Sequence, residues 1–218
     1  MANDLTTPLT IPPPDVRRPE KLAMLPPWVR ERCDALTPSA QPRKWALPAS
    51  MLIASDQRAA LENHLVALNG LLDMTPEADP EFAQQAFTTI SKMLATLGGR
   101  EAGELASEAK GEAYMMAIED VPAWAVQEAA RKWYRGELGD AYDYKWMPDP
   151  ATLRKLALDR LYMCAHKPIR EINALLTAVP AIEFSEDHKA RMRQRFEELK
   201  VGDTVAIPPR VEVNMGKE

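Results

Sequence analysis

Proline sets the first limit on this chain. Ten of its nineteen prolines fall within the first fifty residues. Proline lacks the amide donor and holds φ at about −65°, so "TIPPPDVRRPEKLAMLPP" admits neither a regular helix nor a central strand. Residues 1–50 are therefore expected to form an extended, mostly disordered proline-rich arm. One short helix is expected inside it at 27–36, where Pro27 opens "PPWVRERCDAL" and Trp28, Cys33 and Leu36 are the apolar contacts. A short amphipathic segment in a flexible arm suits docking on a partner, with Trp28, Arg30, Arg32 and Leu36 as its contact residues. The alternative is that it folds back on the body.

Beyond residue 50 the pattern becomes helical. Leu61, Leu65, Leu68 and Leu72 make one stripe, and Ala83, Phe87, Ile90, Leu94 and Leu97 make a second. The second helix opens on Asp79-Pro80, an N-cap followed by a proline whose missing amide is harmless there, and closes at Gly98-Gly99. A third, about 101–119, places Leu105, Ala109, Ala113 and Met116 on one side. Asp120-Val121-Pro122 opens a helix that ends near Arg135 with Gly136 as its stop, and Asp149-Pro150 opens another running to about Ala165. Pro168 bends or breaks the chain before "IREINALLTAV". Ser185 caps a last helix with the stripe Met192, Phe196 and Leu199, which is too short for an independent coiled coil.

No strand pairs with turn signals occur. The expected fold class is all-α: a small helical bundle over residues 51–200, preceded by the long arm and followed by a short, extended, flexible tail over 201–218.

The net charge of −5 is unevenly distributed. Residues 51–120 hold four Lys/Arg and twelve Asp/Glu, whereas residues 121–200 hold fourteen and twelve. This asymmetry permits a basic partner on one side and nucleic acid on the other, with a solvated surface as the plain alternative. No apolar run reaches the roughly 20 residues of a membrane helix, and the N-terminus does not read as a secretory signal. Two widely separated cysteines, Cys33 and Cys164, fit a reducing compartment, and the expected location is the cytoplasm.

Residue patterns for chemistry are weak. A phosphate-binding loop needs Gly-x4-Gly-Lys-Ser/Thr, but Gly98 to Gly103 is followed by Glu104, whose carboxylate would repel phosphate. Cys164-Ala165-His166 offers two metal ligands where a site needs more, and Cys164 is expected to face the core. No catalytic residue, cofactor, metal or small-molecule substrate is therefore expected. The remaining concentration is aromatic. Six of the fourteen aromatic residues lie between Trp124 and Trp146, interleaved with Arg131, Lys132, Arg135 and Lys145. Aromatic planes beside basic groups suit single-stranded nucleic acid or a protein hot spot. The competing structural reading places Trp133 in the core with Val126 and Ala130 and lets Trp146 cover the end of the following helix. Tyr134, Tyr142 and Tyr144 fit a core stripe less well and are the stronger surface candidates.

The pair "VPAWAVQEAARKWYRGE" and "KWMPDPATLRKLA", joined by a glycine-bearing acidic linker, resembles a pattern in phage and prophage replication accessory proteins. It is similar to the small helical domain of phage replicative-helicase loader/inhibitor proteins, through Trp124, Ala129, Trp133, Trp146, Pro148, Ala151 and Leu153. The resemblance covers residues 112–165, and Leu153 stands where that pattern carries an acidic residue. It implies a non-enzymatic adaptor of phage DNA replication. A flexible segment would touch the replicative helicase, and the helical domain would meet an initiator protein or DNA. The implied contacts are Arg131, Lys132, Tyr134, Arg135, Tyr142, Tyr144, Lys145 and Trp146. A reading of another class, suggested by "KARMRQR", is a nucleic-acid-binding regulator or DNA-packaging subunit.

Overall fold

A computed structural model describes residues 19–39, 41–97, 104–182 and 186–202. The fold is all-α. Its elements run α1 (Pro19–Ala23), α2 (Pro27–Asp34), β1 (Thr37–Pro38), β2 (Trp45–Leu47), α3 (Ser55–Leu72), α4 (Pro80–Leu97), α5 (Glu104–Ile118), α6 (Ala123–Arg135), α7 (Pro150–Leu161), α8 (Lys167–Leu176), β3 (Val179–Pro180) and α9 (Glu186–Gly202). The chain divides after Pro180 into two units, and α9 belongs to the second. No helix among the described residues is long and apolar enough to cross a membrane.

Helix α6 is the axis of the first unit. Ala123, Trp124, Ala125, Val126, Ala129, Ala130 and Trp133 are all buried. That set wraps around more than one face, so α6 must have neighbours on more than one side, and it packs on both α4 and α7. The alanines let those neighbours approach closely. Trp124 also donates its indole N–H to the Leu71 carbonyl at 2.8 Å, tying α6 to the end of α3.

The predicted helix signals differ in how well they locate the buried face. Asp149 caps α7, accepting from the Thr152 amide at 3.0 Å and its hydroxyl at 2.7 Å, which holds its carboxyl below the usual range. Gly136 ends α6 at φ 65°. Its amide reaches the Trp133 carbonyl and the Glu137 amide the Lys132 carbonyl, both at 3.0 Å, which forms a Schellman cap. The predicted α4 stripe is displaced. Ala86, Ile90 and Met93 point inward and Phe87 is half exposed, because α4 meets α5 as well as α6. In α5 the predicted small-residue face is wrong: Tyr114 and Ile118 are buried, while Ala109, Ala113 and Met116 are exposed. A buried aromatic removes roughly 150–250 Å² from water at about 25 cal/mol per Å², which outweighs what a row of alanines offers. Gly98-Gly99 and Ser185 lie outside the described residues.

At Pro168 the chain does not break. Residues Tyr162–His166 form a π turn, with the Lys167 amide bonded to the Tyr162 carbonyl, and α8 continues with Pro168 in its first turn. The wider turn accommodates a residue that has no amide to donate. The short sheet was also not predicted. β1 pairs antiparallel with β2, and β2 pairs parallel with β3 through Ala46↔Val179 and Leu47↔Pro180. Strands this short carry no alternation to read.

The largest correction concerns the arm. Residues 1–18 lie outside the described residues, but from Pro19 onward the expected arm is part of the body. Leu22, Leu25, Val29 and Leu47 are buried in the main core. The prolines do not prevent this, because Pro19 and Pro27 each begin a short helix and the segments between need no ladder. Trp28 and Leu36 pack against the core, and the Arg32 guanidinium sits 4.8 Å over the Trp28 ring while its Nε donates to the Met51 carbonyl at 2.9 Å. So Trp28, Arg32 and Leu36 are docked on their own chain, and only Arg30 of that set is exposed. Replacing Leu25 by Ala is expected to cost about 2–5 kcal/mol in urea unfolding; an unpacked arm would leave the midpoint unchanged.

His64 on α3 supplies a polar tie to the same segment. It is buried, and its Nε2 contacts the Leu22 carbonyl at 2.9 Å, while Nδ1 has no protein partner. Burial lowers its pKa from the ordinary 6.5, partly opposed by the Leu22 carbonyl, so the folded chain holds the neutral ring, with Nε2–H donating. A lowered folded value means that the stabilisation is complete above the unfolded value and is lost as pH falls through the folded one. Stability is therefore expected to decline as pH drops below about 6.5, with a shallower decline in His64→Gln, measured as chemical unfolding of both proteins across that range.

Candidate functional site

The candidate surface begins where α6 ends. Gly136 turns the chain away, and a Cβ placed there would meet the Tyr144 ring at 3.7 Å. The loop then folds back over Trp133. Trp133 makes edge-on contacts with Tyr142, at 5.5 Å between ring centroids, and with Tyr144, at 5.1 Å. The Tyr144 hydroxyl accepts from the Leu138 amide at 2.9 Å and donates to the Gly139 carbonyl at 2.8 Å. Tyr142 and Tyr144 are thus half-buried structural rings, which corrects the expectation that they face outward.

The next residues are pinned from several elements. Asp143 accepts from the Lys145 amide through its side chain at 3.1 Å. Trp133 Nε1 donates to the Trp146 carbonyl at 3.0 Å, and the Met147 amide donates to the Leu97 carbonyl at 3.3 Å. Tyr114 donates its hydroxyl to the Pro148 carbonyl, and Pro148 is itself buried. Burial pushes the Tyr114 phenol up, with Asp149 adding to the effect, so it stays a donor at neutral pH. The cap at Asp149 completes the anchorage. Backbone so held still presents a Trp146 side chain that is 59% exposed, with Lys145 exposed beside it.

Tyr134 is also exposed, at 49%, and its hydroxyl lies 2.9 Å from that of Thr96 near the end of α4. It closes one end of a cleft of about 610 Å³ between α4 and α6. Gln84, Gln85, Thr88 and Thr89 from α4 face Gln127 and Arg131 from α6 there, with Glu81 and Lys92 also in the lining, and the surface they present is more apolar than polar. The signal for this cleft was present as the polar series Glu81, Gln84/Gln85, Thr88/Thr89, Lys92 at helical spacing, which reads equally well as a solvated face.

The predicted cations are less available than their number suggests. Arg131 pairs with Glu128 one turn before it and with Glu20 of α1. The shared hydrogen bond with Glu128 and the guanidinium lower Glu20, while burial and Glu20 raise Glu128. The Arg135 guanidinium lies 3.5 Å from the Glu137 carboxylate, and Lys132 is half-buried. Of the predicted contacts, the structure brings Tyr134, Arg135, Lys145 and Trp146 to the surface, and it assigns Arg131, Tyr142 and Tyr144 to internal contacts.

The two cysteines are held as thiols. Burial, with Glu171 and Asp34 adding to it, pushes the Cys33 thiol up to about 11, and burial raises Cys164 as well, so neither is a ready thiolate. Among the described residues no three His, Cys, Asp or Glu converge as a metal site. No known protein family, characterised protein or solved structure matches the chain.

Because Tyr144 joins both sides of the loop through one hydroxyl, Tyr144→Phe is expected to lower stability by about 1–3 kcal/mol. Thermal and urea unfolding measure this, and an unchanged midpoint would show that ring packing alone holds the loop.

Proposed function

We propose that this protein is a non-enzymatic adaptor of the phage-replication type, which binds a replicative helicase or its initiator protein through the corner around Trp146. The reading rests on the resemblance carried by Trp124, Ala129, Trp133, Trp146, Pro148 and Ala151, with Leu153 as the point of departure. The observation that supports it is the held backbone and exposed side chain of Trp146. An exposed aromatic on an already ordered backbone loses little further freedom on binding, and tryptophan is enriched among residues that dominate interface energies. Leu153 is fully buried, so the carboxylate that the family pattern carries there would be stranded in this chain.

Protein contact is favoured over a phosphate interface by the intrachain pairing of Arg131 and Arg135. Each phosphate contact needs a cation free to release counterions. The test is binding of the full chain to the replicative helicase and to the initiator of its host, measured by interferometry. Trp146→Ala is expected to weaken binding about 30-fold or more with the unfolding midpoint unchanged. Binding that ignores the substitution, or failure to bind either protein, would overturn the reading. A strongly salt-dependent affinity for DNA with no helicase or initiator binding would favour the regulator alternative instead.

A further inference from the structure

Helix α9 lies in the second unit and shares no residue with the Trp146 corner. Its described side chains are sorted around the axis. At roughly 100° per residue, Met192 and Phe196 fall about 40° apart on one face. They are exposed, at 41% and 59%. Arg193 and Arg195 border that pair, each about 80° from its centre on opposite sides, with His188 about 60° from the centre on the Arg195 side. Asp187 and Gln194 fall on the far half, and Arg191 and Glu197 lie between. The result is a narrow apolar stripe with a cation on both borders and an anion behind.

We infer that α9 is a second docking element, which lays Met192 and Phe196 against an apolar seam on a partner protein whose borders are acidic. Charge complementarity selects this occupant. A second copy of α9 would set arginine against arginine at both borders, whether the helices ran parallel or antiparallel. A lipid surface needs a broader apolar face than two side chains provide. Phosphates would engage the arginines but leave the methionine and phenylalanine in water. An acidic amphipathic helix satisfies both the stripe and its borders.

The probe is a synthetic amphipathic helix with leucine along one stripe and glutamate on both borders, labelled for fluorescence anisotropy and titrated with the full chain. A matched peptide with lysine borders is the control. The glutamate peptide is expected to bind at least about tenfold more tightly than the control, and to weaken as salt is added. Met192→Asp with Phe196→Asp should abolish the difference. The triple change Arg191→Glu, Arg193→Glu and Arg195→Glu should reverse the preference, so a helix lost in the first variant does not hide the result. Equal affinity for the two peptides, or for neither, would overturn the proposal. So would oligothymidylate binding that survives the aspartate pair, binding to phosphatidylserine vesicles in place of peptide, or dimerisation lost in that same variant.

Discussion

Everything in the first unit is arranged around the need to bury α6 on several sides at once. A helix carrying Trp124, Val126 and Trp133 among alanines cannot rest on a surface, and α4 and α7 close over it. The two tryptophans then bring buried N–H groups into that core, and each finds a carbonyl: Leu71 for Trp124 and Trp146 for Trp133. An indole N–H left unpaired there would cost on the order of 1–3 kcal/mol. That requirement fixes where α3 ends and where the loop before α7 must run. The shape of the corner is therefore a consequence of the core.

The same reasoning explains the N-terminal segment. Proline excludes long helices, and in that sense the composition describes residues 19–50, although Pro38 still takes part in the short β1–β2 pairing. Proline does not exclude burial. Short helices begun by Pro19 and Pro27, with Leu22, Leu25 and Val29 at their inner edges, put apolar area into the core with few backbone bonds to satisfy. A buried histidine and the Arg131 ion pair then fix this segment to α3 and α6. Proline density reports how a segment folds locally and says little about whether it has a surface to fold against.

Element existence was legible wherever chemistry marks an end: Asp149 with Pro150, Pro122, and Gly136. The inward faces were harder to read. Helix α5 has two candidate faces, and the one with Tyr114 can be buried because Pro148, in a distant loop, supplies a carbonyl for its hydroxyl, a partner that no local pattern reveals. Tyr142 and Tyr144 were misread for a related reason. They lie in a loop, where no periodicity assigns a face, and their burial depends on Trp133 across the Gly136 turn. Trp146 could be read either as cover for a helix end or as a contact. Its carbonyl takes the Trp133 indole N–H and Asp149 caps the following helix, while the Trp146 side chain stays exposed.

Pairing within the chain also changes how many of its cations face outward unaccompanied. The sequence counts Arg131, Lys132, Arg135 and Lys145 as four cations near aromatics. In the fold Arg131 is shared between two carboxylates, one of them on α1, and Arg135 lies by Glu137. An exposed pair such as Arg135–Glu137 adds roughly 0–1 kcal/mol to stability, but its carboxylate offsets the guanidinium charge that a phosphate would meet. What remains outward is the Trp146 ring on a hydrogen-bonded backbone, and Tyr134 at the cleft between α4 and α6. The protein contact we propose would therefore depend on shape and hydrogen-bonding direction more than on charge.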